Sequence, residues 1–138
     1  MLPLFLLTEN LNVLMPNFLK LKPGARIVTN GFTIDKWDFD AHAIAEGNCG
    51  QWCNVYLYVV PADVAGSWRL GSDVLKIEQD FQKISGTLGN AAIAAGRLRG
   101  AEIVFTVGKT QYAGRIEGDE MRGETQGAKT GAWTARRE

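Results

Sequence analysis

The sequence predicts an α+β fold, a partial α/β segment followed by an antiparallel β-meander or barrel-like sheet. Three observations carry that reading. The early part of the chain alternates strand, helix and strand; the apolar period then changes from that of a helix to that of a strand beyond Gly66; and turn signals recur from there at about ten-residue spacing. The 138 residues are 46% hydrophobic and carry 15 basic and 15 acidic side chains. A chain of this length can bury roughly two-thirds of its surface, enough for one core. Its balanced charge offers no cationic footprint, so neither nucleic acid nor a membrane surface is an expected partner.

Leu4 to Leu7 is a short continuous apolar run, as in a strand buried on both faces. It has no positive leader before it and no small-residue cleavage site after it. No run approaches the roughly 18 apolar residues of a membrane span, and a cytoplasmic location is expected. Leu11, Leu14, Met15, Phe18 and Leu19 then form one apolar helical stripe. Thr8 is placed to cap that helix and Pro23-Gly24 to end it, while Pro16 must kink it or start a second one, because proline has no backbone donor. Ala25 to Thr29 reads as a second core strand, 31–50 as a long loop with at most a short helix, and Val55 to Val60 as a third strand. The period changes near Pro61 to Gly66. This divides the chain into segments 1–62 and 63–138, expected to pack as one compact unit.

In the second segment Leu75, Ile77, Gln79 and Phe81 alternate with Lys76, Glu78, Asp80 and Gln82, giving one apolar face interrupted only by Gln79. Ile103, Phe105 and Val107 continue the pattern, then Tyr112, Gly114 and Ile116, and finally Trp133 and Ala135. Turns are signalled at Gly71-Ser72-Asp73, at 86–90, at Gly108-Lys109 and at Gly118-Asp119. Such a rhythm implies a strongly curled or barrel-like meander.

Cys49 and Cys53 lie in a Gly-rich stretch. A C-x3-C pair with one distant His42 is not a four-ligand zinc pattern, and no metal is expected. Two free thiols are preferred over a local disulfide. His42 stands near Asp35, Asp38 and Asp40 without a nucleophile or an orienting partner, which reads as a solvated loop rather than a base.

The residues also carry a family resemblance. Leu6-Leu7-Thr8-Glu9-Asn10-Leu11, Pro16, Leu21-Lys22-Pro23-Gly24-Ala25-Arg26-Ile27-Val28, Phe32 and Trp37 resemble the C-terminal half of a bacterial class I S-adenosylmethionine-dependent methyltransferase-like protein with an all-β C-terminal extension. Tyr56 to Ala62, Gly66-Ser67-Trp68, Gln79-x-Phe81-Gln82, Leu98-Arg99-Gly100, Gly114 and Trp133 to Arg136 extend the similarity along most of the chain. The resemblance implies a partial Rossmann-like α/β segment whose first strand corresponds to the family's fourth. Only four residues precede Phe5, and there is no G-x-G-x-x-G loop to hold the cofactor. Asn30 and Gly31 stand where family members carry a His and an acidic residue. S-adenosylmethionine is therefore expected only if a partner chain supplies an N-terminal half.

Ligands of an open α/β sheet sit beyond the carboxyl ends of its strands, which nominates Thr8, Glu9, Asn10 and Asn30. A helix cap, a solvated first-turn carboxylate and a turn residue are the competing roles for Thr8, Glu9 and Asn30. In the second segment Gln79 either ties the meander together or reads a ligand, and Trp68 and Tyr112, with Trp133, are placed to line a barrel pocket or to fill its core. Gly66-Ser67-Trp68 resembles the lipocalin and avidin type of barrel closure. The leading expectation is a binding or oligomerisation module without autonomous catalysis, self-associating through an exposed sheet edge. A small-ligand-binding β-barrel and half of a split methyltransferase are the alternatives.

Overall fold

Alternating apolar and polar side chains continue through nine strands after Pro61, and in the computed structural model, which describes residues 1–138, eight of these strands close on themselves. The chain divides into two units, Met1–Val60 and Pro61–Glu138.

The first unit is a four-stranded sheet with one helix. Strands β1 (Leu2–Leu4), β2 (Arg26–Asn30), β3 (Ala41–Ile44) and β4 (Asn54–Val59) lie in the order β1-β2-β4-β3. β1 and β2 are parallel, joined by helix α1 (Thr8–Phe18), and the other pairings are antiparallel. Leu11 and Phe18 on α1 are buried, as are Ile27, Thr29, Ile34, Trp37 and Tyr58. Thr8 does not cap the helix: Leu7 holds that position without a side-chain bond, and the Thr8 hydroxyl donates to the Thr33 carbonyl at 2.8 Å. Pro16 neither splits the stripe nor lets it run on to Pro23, because the helix ends two residues later, at Phe18. Asn12 fastens the following loop by a reciprocal pair, its Oδ1 accepting from the Asp35 N–H at 2.9 Å and its Nδ2 donating to Asp35 Oδ2 at 3.0 Å.

The second unit runs through β5 (Gly66–Leu70), β6 (Asp73–Asp80), β7 (Lys83–Leu88), β8 (Ala91–Ala92), β9 (Ala94–Arg99), β10 (Glu102–Val107), β11 (Thr110–Glu117), β12 (Glu120–Gly127) and β13 (Gly131–Arg137). All pairings are antiparallel. The two-residue β8 hangs on β7, which also pairs with β9, and the pairing of β13 with β5 closes the wall. Trp68, Leu75, Leu98, Ile103, Phe105, Met121 and Ala135 point inward and are fully buried. An eight-stranded barrel is just wide enough for side chains to fill. Room for the largest of them comes from glycine: Gly114 and Gly123 face each other across β11 and β12 beside Trp133. A Cβ on Gly114 would lie 2.8 Å from the Trp133 ring, and one on Gly123 would lie 1.9 Å from the Ala113 carbonyl oxygen.

Several expectations are corrected. The fold is not α+β with a Rossmann-like half but mainly β, with 54% of residues in strands and 11% helical. The methyltransferase resemblance falls with it. One crossover helix and a two-strand parallel pairing are all the α/β content present, and a closed barrel takes most of the chain. The long loop over 31–50 contains β3, whose residues pair with Leu57, Tyr56, Val55 and Asn54. The cysteines are not free thiols: Cys49 and Cys53 form a disulfide with Cα atoms 5.2 Å apart, because the 3-10 turn over Gly50–Cys53 brings them together. No helix is long and apolar enough to cross a membrane.

Burial pushes the Tyr58 hydroxyl up from 10.0 to about 12, partly opposed by the Ile34 N–H that it accepts. The neutral phenol is therefore favoured in the folded state. Its contribution is complete below pH 10 and is lost as pH rises to 12, where the unfolded phenol ionises first. Urea titrations should show stability falling by about 2–3 kcal/mol across that window, and a smaller fall in Tyr58→Phe. Gly123→Ala should cost about 1–3 kcal/mol by overpacking. Gly118→Asn should cost little, since that turn glycine has φ +60° and open space around its Cβ direction.

Candidate functional site

The two ends of the barrel differ. At one end the segment 61–65 enters as a plug, anchored by the Ala62 N–H on the Gly100 carbonyl at 2.9 Å. Gln79, inward by strand parity, saturates it: its Oε1 accepts from the Val64 N–H at 2.8 Å, and its Nε2 donates to the Ala62 and Phe81 carbonyls at 2.9 and 2.8 Å. Trp68 Nε1 donates to the Val64 carbonyl at 2.9 Å, so both peptide groups of one residue are held by the barrel wall. Arg137 completes the seal. Its guanidinium lies 4.4 Å from the centre of the Trp68 ring and donates to the Asp63 and Ala65 carbonyls at 2.8 and 3.1 Å, while its Nε reaches Asp119 at 3.1 Å. Two carbonyls of the exposed side of the plug are thereby tied to β13.

The interior above the plug carries an aromatic cluster. Phe105 and Tyr112 stack at 4.9 Å with planes 6° apart, and Trp133 meets both edge-on at 5.8 and 5.7 Å while donating to the Ala113 carbonyl at 3.2 Å. Toward the other end, Tyr112 lies opposite Thr125, and Val107 opposite Thr110. Both threonines are buried, and the Thr125 hydroxyl donates to the Gly131 carbonyl at 3.2 Å. Leu88 and Ile93 are buried near this end, and Leu70 and Val107 pack on the core while remaining partly exposed. The result is an apolar rim over a floor of rings, with three hydroxyls on adjoining inward positions and no charged side chain among them.

The sequence candidates are distributed as follows. Trp68 and Gln79 meet at the sealed end, where their polar groups are committed to the plug. Tyr112 lies in the aromatic cluster, toward the end opposite the plug. Thr8, Glu9, Asn10 and Asn30 belong to the first unit: Glu9 and Asn10 are exposed in the first turn of α1, and Asn30 donates to the Trp52 and Asn54 carbonyls at 3.0 and 3.4 Å, bracing the disulfide turn. His42 is not in a loop. It stands on β3, stacked 4.6 Å from Tyr56 with Nε2 3.0 Å from Asn54 Oδ1, and no cluster of three His, Cys, Asp or Glu side chains is arranged to hold a metal ion.

Arg137, Thr110 and Thr125 were not among the sequence candidates. Arg137 was legible by parity, two residues beyond the inward Ala135. The threonines carry no such signal, since exposed strand positions also favour threonine. No family model matches the chain, and comparison with curated proteins and with solved structures finds no significant match either. The site must be read from its own chemistry.

Gln79→Leu preserves volume and leaves the Val64 N–H and two carbonyls without their partner. It should lower stability by about 2–4 kcal/mol in urea denaturation. Lys76→Leu, on the outward side of the same strand, should change it far less.

Proposed function

We propose that the protein is a small-ligand-binding β-barrel whose ligand enters at the end opposite the plug and rests on the aromatic cluster. The observation that carries this reading is the asymmetry of the barrel. At the plugged end the polar groups of Gln79, Trp68 and Arg137 are engaged within the fold, whereas at the other end Tyr112, Thr110 and Thr125 occupy adjoining inward positions close to Leu70, Leu88, Ile93 and Val107. Small-molecule sites combine this kind of apolar lining with a few convergent hydrogen-bonding groups. The rings fill the middle of the barrel, so the ligand sits at the mouth and is not enclosed deep within it. With no charged residue on this inward surface, the favoured ligand is small, neutral and largely apolar, with one or two polar atoms to meet the hydroxyls.

N-phenyl-1-naphthylamine is a suitable neutral probe. Titration should give saturable one-to-one binding with energy transfer from tryptophan. Val107→Arg, placing a charge in the rim, should abolish binding, and Tyr112→Phe should weaken it about 2- to 10-fold, the equivalent of one hydrogen bond. Lys76→Leu on the outer wall should leave it unchanged. Binding that never saturates, or that survives Val107→Arg at full strength, overturns the assignment.

A further inference from the structure

In the first unit, β3 pairs with β4 and with nothing on its other side. The Ala45 N–H bonds the Cys53 carbonyl at 2.7 Å, which sets the alternation of the hairpin: Ala43 and Ala45 turn their peptide groups to β4, and His42 and Ile44 turn theirs outward. All four residues of the strand are exposed, Ile44 by 71%. A strand of this kind is usually blunted by lysine, proline or a covering loop, and Ala41-His42-Ala43-Ile44 carries none of the first two. Alanines at alternate positions leave the edge sterically open.

Charge and ring placement say what suits it. From Trp37 to Val60 there is no Lys or Arg, while Asp38 and Asp40 precede β3 and Glu46 follows it; the Asp40 carboxylate accepts from the Val59 N–H at 2.6 Å and keeps its charge there. A second copy paired along this edge would bring the same three carboxylates toward one another, which disfavours self-pairing. Beside the edge, His42 stacks on Tyr56, and Phe39, 42% exposed, meets Tyr56 at 5.0 Å and His42 at 5.7 Å. An exposed aromatic group between carboxylates favours a cationic side chain.

We infer that the free edge of β3 takes an extended, lysine- or arginine-bearing peptide segment of another protein as a fifth strand. The backbone groups of His42 and Ile44 pair with it. Its basic side chains are drawn by the negative charge around the strand, one beside Glu46 and one against the Phe39–Tyr56 rings. Main-chain bonds supply affinity in this mode and side-chain spacing supplies selectivity.

The test uses the full chain and fluorescein-labelled seven-residue peptides followed by anisotropy. A peptide alternating Lys and Val should bind at least tenfold more tightly than one alternating Glu and Val, and added salt should weaken it. N-methylation of alternate peptide residues, which removes edge donors and leaves the protein untouched, should abolish binding. His42→Pro should do the same, because that N–H is not used by β4; circular dichroism checks that the variant folds. Equal binding of the Glu peptide, full binding of the N-methylated peptide, or no binding at all overturns the inference. So does concentration-dependent dimerisation in sedimentation that His42→Pro removes, since the edge would then belong to a second copy.

Discussion

The pairing of β13 with β5 is the constraint on which the barrel depends. It comprises three register pairs, Leu70 with Ala135, Arg69 with Arg136 and Trp68 with Arg137. Closing here removes the two edges that an eight-stranded meander would otherwise expose. One of the pairs sets two arginines opposite each other, an arrangement that costs stability on its own. Each is relieved by a carboxylate, Arg69 by Glu138 at 2.9 Å and Arg136 by Glu120 at 3.7 Å. The third pair adds the stacking of Arg137 on Trp68 and fixes both side chains over the segment 61–65. Plug, seam and the plugged end are therefore one structure.

How far the sequence reaches follows from the range of each interaction. Alternation is local, so the inward faces of β6, β10 and β11 were legible from Leu75, Ile77, Phe105 and Tyr112, and parity alone placed Gln79 inside. The β6–β7 turn was not. It falls at Phe81, which has φ 56°, and phenylalanine gives no turn signal, so alternation appeared to run on through Gln82. Closure joins residues more than sixty positions apart through ordinary backbone bonds, and nothing local announces it beyond Gly66-Ser67-Trp68. The α+β assignment gave a single eleven-residue helix and its two flanking strands the weight of half a domain. Motifs as short as Leu-Lys-Pro-Gly match by turn chemistry without a shared fold.

The candidate site was legible in part for the same reason. Tyr112 followed from inward alternation, whereas Thr110 and Thr125 are distinguished only by the strands that surround them. The cysteine pair depended on a turn whose backbone the C-x3-C spacing does not dictate. His42 shows the converse: a residue read as solvated loop is held by a cross-strand ring contact, because β3 forms only when Val55 and Tyr56 are there to pair with it. Two surfaces of different chemistry result. The inward positions at the unplugged end of the barrel carry rings and hydroxyls, and the hairpin edge of the first unit is acidic with free backbone donors and acceptors.

Native-state amide hydrogen exchange by NMR addresses closure most directly. Amides of β5 and β13 bonded across the seam, those of Arg69 and Arg136, in phase with the Glu138 N–H on the Ser67 carbonyl, should exchange as slowly as those paired between β11 and β12 and through the same global opening. Fast exchange confined to the seam, with β11 and β12 still protected, would show an open sheet and contradict closure.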